Sequence, residues 1–137
     1  MPVEILPYDP LPYSVHTAGV GALCAALGWP SLTDPDLCRR VLSGPGVVAR
    51  IAVDGSAVVG FGYGMGDGAL QSYLAQLAVT PAYRRRGIAR RLVEAIYDAT
   101  GTQRMDLLTD DAQAFYEAMP HQTKPGYRIY PRWEQPD

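Results

Sequence analysis

Apolar positions recur along this chain at two spacings, every second residue and every third or fourth, and the switches between them predict its elements. Val3, Ile5 and Tyr8 alternate with other positions ahead of the turn-prone Asp9-Pro10 and Leu11-Pro12, which predicts a short first strand. From Ser14, a residue able to cap a helix, Val15, Ala18, Leu23, Ala26 and Leu27 form an apolar helical face that Gly28-Trp29-Pro30 closes. A second short helix is expected, capped by Thr33 or Asp34, with Pro35 in its first turn and Leu37, Val41 and Leu42 on its face. Ser43-Gly44-Pro45-Gly46 ends it. Val47 to Val53 and Ala57 to Tyr63 are β-rich runs across Asp54-Gly55-Ser56, a hairpin signal.

The second run leads into Gly60, Gly62, Gly64, Gly66 and Gly68. No Lys-Ser/Thr pair follows at phosphate-loop spacing, so these glycines predict a twisted strand with close backbone approach and a loose turn at Gly66-Asp67-Gly68. Tyr73, Ala75, Leu77 and Val79 alternate as a further strand, which Thr80-Pro81 breaks. Ile88, Leu92, Ala95, Ile96 and Ala99 then recur at helical spacing, widened by Ala89 and Val93 and stopped by Gly101. Met105 to Leu108 reads as a short buried strand. Thr109 or Asp110 can cap a helix through Ala112, Phe115, Tyr116 and Met119, with Gln113 completing a capping box from Asp110 and Pro120 as its stop. Gly126 to Tyr130 is expected as a final strand before a polar tail, PRWEQPD. This order predicts a mixed α/β (α+β) sheet with helices on both faces.

One stretch has the geometry of an anion site. A strand, an arginine-glycine turn (Arg84, Arg85, Arg86, Gly87) and an amphipathic helix aim free N–H groups and the positive end of a helix dipole at one spot, which we read as a pyrophosphate site. The competing reading is a solvated basic helix start, and Arg90, able to pair with Glu94, and Arg91 suit it.

Arg84-Arg85-Arg86-Gly87-Ile88-Ala89, with the LAVTPAY that precedes it, resembles the Arg/Gln-x-x-Gly-x-Gly/Ala signature of the GCN5-related N-acetyltransferase (GNAT) superfamily. That resemblance implies a mostly antiparallel mixed sheet, splayed between a fourth strand at Gln71–Val79 and a fifth at Met105–Leu108. It implies acetyl-coenzyme A as acyl donor, bound by the main chain around Leu77, Ala78 and Val79 and, at its pyrophosphate, by Arg84, Arg85, Arg86, Gly87, Ile88, Ala89 and Arg90. The family pattern Asn-x-x-Ala-x-x-Phe-Tyr lines up on Thr109 to Tyr116, and by it Tyr116 is the general acid for the departing thiolate. Three departures stand out. Thr109 replaces the usual Asn; Gln76 stands where many relatives place a carboxylate base; Met119-Pro120-His121 occupies the place of a Gly-Phe that enters the next strand. His16, His121 and Asp106 are the remaining candidates for a base, and a water chain or an amine that arrives neutral needs none. The acceptor is expected near the first two helices and the Gly64–Ala69 loop, with Tyr13, His16, Trp29 and Tyr73 as lining and Asp67 to attract a cationic amine.

Composition narrows the remaining classes. At 137 residues, 47% hydrophobic and 19% charged, residues 1–137 suit one globular domain. Twelve Lys+Arg against 14 Asp+Glu, a net charge of -2, speak against nucleic acid as partner. No apolar run approaches the ~20 residues of a membrane span, and no basic region followed by a long apolar stretch opens the chain, so a cytoplasmic location is expected. Cys24 and Cys38 are expected as buried free thiols, and the two cysteines and two histidines form no metal-ligand pattern. The expected activity is direct, metal-free transfer of an acetyl group from acetyl-coenzyme A to a primary amine of a small molecule. Its rivals are another acyl-coenzyme A as donor, or a non-catalytic coenzyme A-binding module; by the resemblance the protein also has the option of a homodimer.

Overall fold

The computed structural model describes residues 2–133. Among them lie β1 at Glu4–Pro7, α1 at His16–Ala26, α2 at Pro35–Leu42, β2 at Val47–Asp54, β3 at Ala57–Gly66, β4 at Gln71–Val79, α3 at Ile88–Thr100, β5 at Arg104–Leu107 and α4 at Gln113–Glu117. The chain falls into two compact units, Met1–Leu107 and Leu108–Asp137. The first holds the whole sheet with α1 to α3, and the second holds α4.

The strands lie in the order β1-β2-β3-β4-β5. The first three pairings are antiparallel and β4 with β5 is parallel, which is the mixed, mostly antiparallel sheet that the resemblance implies. Alternation along the strands sends Ile51, Phe61 and Ala78 into one core with Val20, Leu23 and Cys24 of α1 and Cys38 and Leu42 of α2. Ala52, Val59 and Val79 go into the other, against Ile88 and Leu92 of α3. Helices therefore cover both faces. An irregularity between Ala52 and Val53 resets the alternation at the hairpin end of β3.

Gly60, Gly62 and Gly64 of β3 face α3. A Cβ at Gly62 would lie 2.8 Å from Ile96 Cδ1, and one at Gly64 would lie 2.7 Å from the Tyr73 carbonyl oxygen. Their bareness is what lets α3 settle on the sheet, the close approach that the sequence predicts. In the following turn the Asp67 carboxylate accepts hydrogen bonds from the N–H groups of Ala69, Leu70 and Gln71. Those bonds fix the carboxylate in the turn and keep it ionised.

The pairing of β4 with β5 runs only from Gln71–Arg104 to Leu74–Leu107. The next residue, Ala75, is bulged: Tyr63 pairs with Gln76 and Gly64 with Leu74, so Ala75 has no counterpart. A bulge bends its strand, and beyond it no strand among the described residues pairs with the β5 side of β4. This is the splay expected between the fourth and fifth strands. Buried hydroxyls fix the paired half: Ser72 donates to the Arg104 carbonyl at 3.0 Å and accepts from Thr102 at 2.8 Å.

Five expectations need correction. The buried face of α1 is His16, Thr17, Val20, Leu23 and Cys24, whereas Val15, Ala18 and Ala26 are exposed. The segment is small and apolar on every side, so its pattern carries little contrast, and hydrogen bonds from Asp9 N–H to His16 and between Tyr8 and Thr17 permit a polar pair inside. The strand expected at Met105 to Leu108 runs one residue earlier and alternates exposed with half-buried positions instead of being fully buried. The last helix spans only Gln113–Glu117, capped from Ala112. There Gln113 Nε2 donates to the Asp110 carbonyl, so no capping box forms. The expected strand at Gly126 to Tyr130 forms no ladder, and Tyr127 and Ile129 are 84% and 74% exposed. β-prone residues make a strand only against a partner edge, and the second unit contains no other strand among the described residues. Part of the expected tail, residues 134–137, lies outside the described residues.

Candidate functional site

The candidate anion site begins where β4 ends. Pro81–Tyr83 makes a short 3-10 turn after Thr80, and the chain then passes through Arg85 and Gly87, both in the left-handed region at φ 64° and 77°. Such residues on either side of Arg86 turn successive N–H groups inward, a nest. Gly87 is the N-cap of α3, with no side chain satisfying the helix start. Arg84 N–H donates to the Pro81 carbonyl and Arg91 N–H to that of Gly87. Between them, no described residue accepts from the N–H groups of Arg85 to Arg90. The positive end of the α3 dipole lies at the same place.

The side chains are held by local contacts. Arg84 Nε donates to the Val79 carbonyl at 3.2 Å, tying the loop to the strand. The Arg86 guanidinium lies 4.7 Å from the Tyr83 ring centroid, and the Tyr83 hydroxyl donates to Asp54, which raises the Tyr83 pKa. Arg90 pairs with Glu94 at 3.0 Å, as expected of a surface helix. Ile88 is buried in the α3 core, so it can reach a ligand only through its main chain, and the half-buried Ala89 packs against that core. Among the described residues no carboxylate pairs with Arg84, Arg85 or Arg86. Sequence reasoning missed the Tyr83–Asp54 clamp, whose partners are 29 residues apart with no motif to join them.

The open edge of β4 adjoins this loop. Thr80 N–H bonds the Val59 carbonyl on β3. Main-chain groups alternate in direction along a strand, so Ala78 and Gln76 also point toward β3, and Leu77 and Val79 point away, to the side that β5 has left. Ala78 buries its methyl in the α1 core. At its main-chain groups other than the Val79 carbonyl, which Arg84 Nε already meets, the Leu77 and Val79 edge can therefore accept an extended ligand as an added strand.

Gln76 sits opposite Tyr63, and its Oε1 is buried without a hydrogen-bond partner. The base candidates are not drawn together. His16 is buried, its Nδ1 accepts from Asp9 N–H at 3.0 Å, and burial lowers its pKa, so that nitrogen is taken. His121 is exposed, with Nδ1 2.8 Å from the Met119 carbonyl. Asp106 is an exposed position of β5. Of the expected acceptor lining, Tyr13 stands 80% exposed and Trp29 is at the surface.

Tyr116 belongs to α4 in the second unit. Its ring meets Phe115 edge to face at 4.9 Å, and burial pushes its phenol above the ordinary value of 10.0. Thr109, in the place of the usual Asn, accepts from Ala112 N–H at 3.0 Å and shapes the turn into α4. Among the described residues no cluster of three or more His, Cys, Asp or Glu could hold a metal, and no helix is long and apolar enough to cross a membrane.

A family model described as an acetyltransferase (GNAT) domain matches residues 46–119. No curated protein sequence matches the chain. Among solved structures, an aminoglycoside acetyltransferase from an uncultured soil metagenomic sample is similar at TM-score 0.75 and 21% identity, over 96% of this chain and 99% of that one. The aminoglycoside acetyltransferase AAC(6')-Iy, in complex with the bisubstrate analogue CoA-S-monomethyl-acetylneamine, is similar at TM-score 0.75 and 18% identity, over 97% and 99%. A ribosomal-protein-alanine N-acetyltransferase from Brucella melitensis biovar Abortus 2308 is similar at TM-score 0.74 and 17% identity, over 95% and 99%.

Proposed function

Because this chain belongs to the GNAT acetyltransferase family and is thereby an N-acetyltransferase, we propose that it moves an acetyl group from acetyl-coenzyme A directly to a primary amine of a small molecule. The observation that carries the donor is the run of unclaimed N–H groups from Arg85 to Arg90, set in an arginine-rich turn beside the open Leu77 and Val79 edge. Main-chain donors at a helix start suit a pyrophosphate, and an unpaired strand edge suits an amide-bearing pantetheine arm. In this reading Arg84, Arg85, Arg86, Gly87, Ile88, Ala89 and Arg90 hold the diphosphate, chiefly through the N–H groups of Arg85 to Arg90, since the Arg84 N–H is bonded to the Pro81 carbonyl. Leu77 and Val79 align the arm and polarise the thioester carbonyl, and Tyr116 protonates the leaving thiolate. Small-molecule amines are favoured by the likeness to aminoglycoside acetyltransferases; the likeness to an enzyme named for ribosomal-protein alanine makes a peptide amino terminus the competing acceptor.

Calorimetry with coenzyme A tests the donor. The wild-type protein takes it up, and Gly87→Glu binds about 100-fold more weakly or worse, because a carboxylate beside the diphosphate costs several kcal/mol. A side chain there meets nothing within 4 Å, so folding suffers only from the left-handed φ, about 1–2 kcal/mol. Equal uptake by the variant, or none by the wild type, overturns the reading. Thiol release from acetyl-coenzyme A with sisomicin, spermidine, phenethylamine and an alanine-ended peptide then ranks the acceptors.

A further inference from the structure

Gln76 is the described residue whose side chain ends in a buried polar atom with no partner. A buried carbonyl without a donor lowers stability, and folding alone gives no reason to keep one. Its place suggests the use. Gln76 directly precedes Leu77 on the open edge of β4, follows the bulged Ala75, and lies on the sheet face of Tyr63, Ala78 and the α1 core. The residue as a whole is half-buried, and the terminal torsion of a glutamine is soft. Its oxygen can turn to meet an incoming donor without moving the strand.

We propose that Gln76 recognises the acceptor: its side-chain carbonyl receives an N–H of a primary amine already in its neutral form. This rests on the acyl-transfer reading above and adds the acceptor's protonation state to it. An amide oxygen accepts a hydrogen bond but does not take up a proton near neutral pH. The bond therefore aims the nitrogen lone pair without deprotonating an ammonium ion. Nitrogen attacks the thioester carbon, the C–N bond forms and the C–S bond breaks. One proton leaves nitrogen for solvent and one reaches the thiolate sulfur, so amine and thioester become amide and thiol with nothing left over. Turnover then follows the neutral fraction of the amine: kcat/KM rises tenfold per pH unit up to the amine's own pKa.

Two substitutions test this with the fastest amine of the panel above. Gln76→Met keeps the volume and removes the acceptor. It is expected to lower kcat/KM for the amine about tenfold, leave coenzyme A affinity unchanged and leave Tm equal or higher, since no orphan carbonyl remains. Gln76→Glu places a carboxyl in a buried setting that raises its pKa toward neutrality, where a general base works best. It is expected to raise kcat/KM at pH 6.5 by about tenfold or more and to flatten the pH slope. A Met variant with wild-type kcat/KM, or with a lowered Tm and unchanged KM, overturns the proposal, as does a Glu variant that keeps the wild-type slope. Wild-type protein that fails to take up coenzyme A overturns the acyl-transfer reading itself, which separates the two failures.

Discussion

Tyr116 shows how one side chain's surroundings define a testable role. Burial raises its phenol pKa above 10.0, so the group is protonated throughout the neutral and mildly alkaline range. An acid is available below its pKa and is lost as pH rises through it. The proton that the proposed role requires is therefore present across neutrality and is lost only above pH 10. Tyr116→Phe keeps the ring and its contact with Phe115 while deleting the proton. It is expected to lower kcat by about 10²–10⁴, the usual size of a general-acid contribution, with KM for acetyl-coenzyme A little changed. Steady-state rates between pH 7 and 10.5 check it: a variant with wild-type kcat removes Tyr116 from the chemistry.

At the scale of elements, the seat of α3 on β3 depends on missing side chains. A methyl at Gly62 would press on Ile96 Cδ1 at 2.8 Å and on the Gln76 carbonyl at 3.1 Å. Ile96 is wholly buried, so its side chain must shift within the core to make room. Gly62→Ala is expected to destabilise by about 1–3 kcal/mol, as overpacking does, and thermal melting reads it as a loss of several degrees. An unchanged Tm would mean that the helix slides at no cost. This close approach was legible from the glycine ladder. So were α2, with Asp34 accepting from Asp36 N–H and Pro35 in the first turn, and α3, with its stripe ending at the left-handed Gly101. In each case a local signal and a strong periodicity agree. The α1 face was not legible, because Val15, Ala18 and Ala26 look as apolar as the residues that are buried. The choice was made by Tyr8 and Asp9, which satisfy Thr17 and His16 from outside the helix. At the Arg84–Ala89 turn the strand-turn-helix order was legible, and the anion site read from it is the proposal that calorimetry tests. Its Tyr83–Asp54 clamp and the hydroxyl chain of Ser72 and Thr102 join residues too far apart in sequence for any motif to announce.

For the molecule as a whole, the sheet-bearing unit Met1–Leu107 contains a buried histidine that links its stability to pH. His16 accepts the Asp9 N–H at Nδ1 and is held neutral, its pKa lowered by burial against a smaller opposing pull from the Asp9 carboxylate. Above the ordinary histidine value of 6.5 the folded and unfolded chains are both neutral there, and the contribution is fully present. As pH falls below that value the unfolded chain takes up its proton first, and stability drains until pH passes the lowered folded value. The same window would catch the loss of the Asp9 bond, since a protonated Nδ1 is no longer an acceptor. Asp67 acts in a separate range. Three backbone N–H groups hold its carboxyl below 3.8, so its contribution is lost only in stronger acid. Melting temperatures taken between pH 7.5 and 5 should therefore fall by a few degrees in the wild type. His16→Asn offers a neutral oxygen to the same N–H and should flatten that slope while leaving Tm at pH 7.5 within a few degrees of the wild-type value. A slope that survives the substitution would move the acid sensitivity to another group and leave His16 a plain hydrogen-bonded core residue.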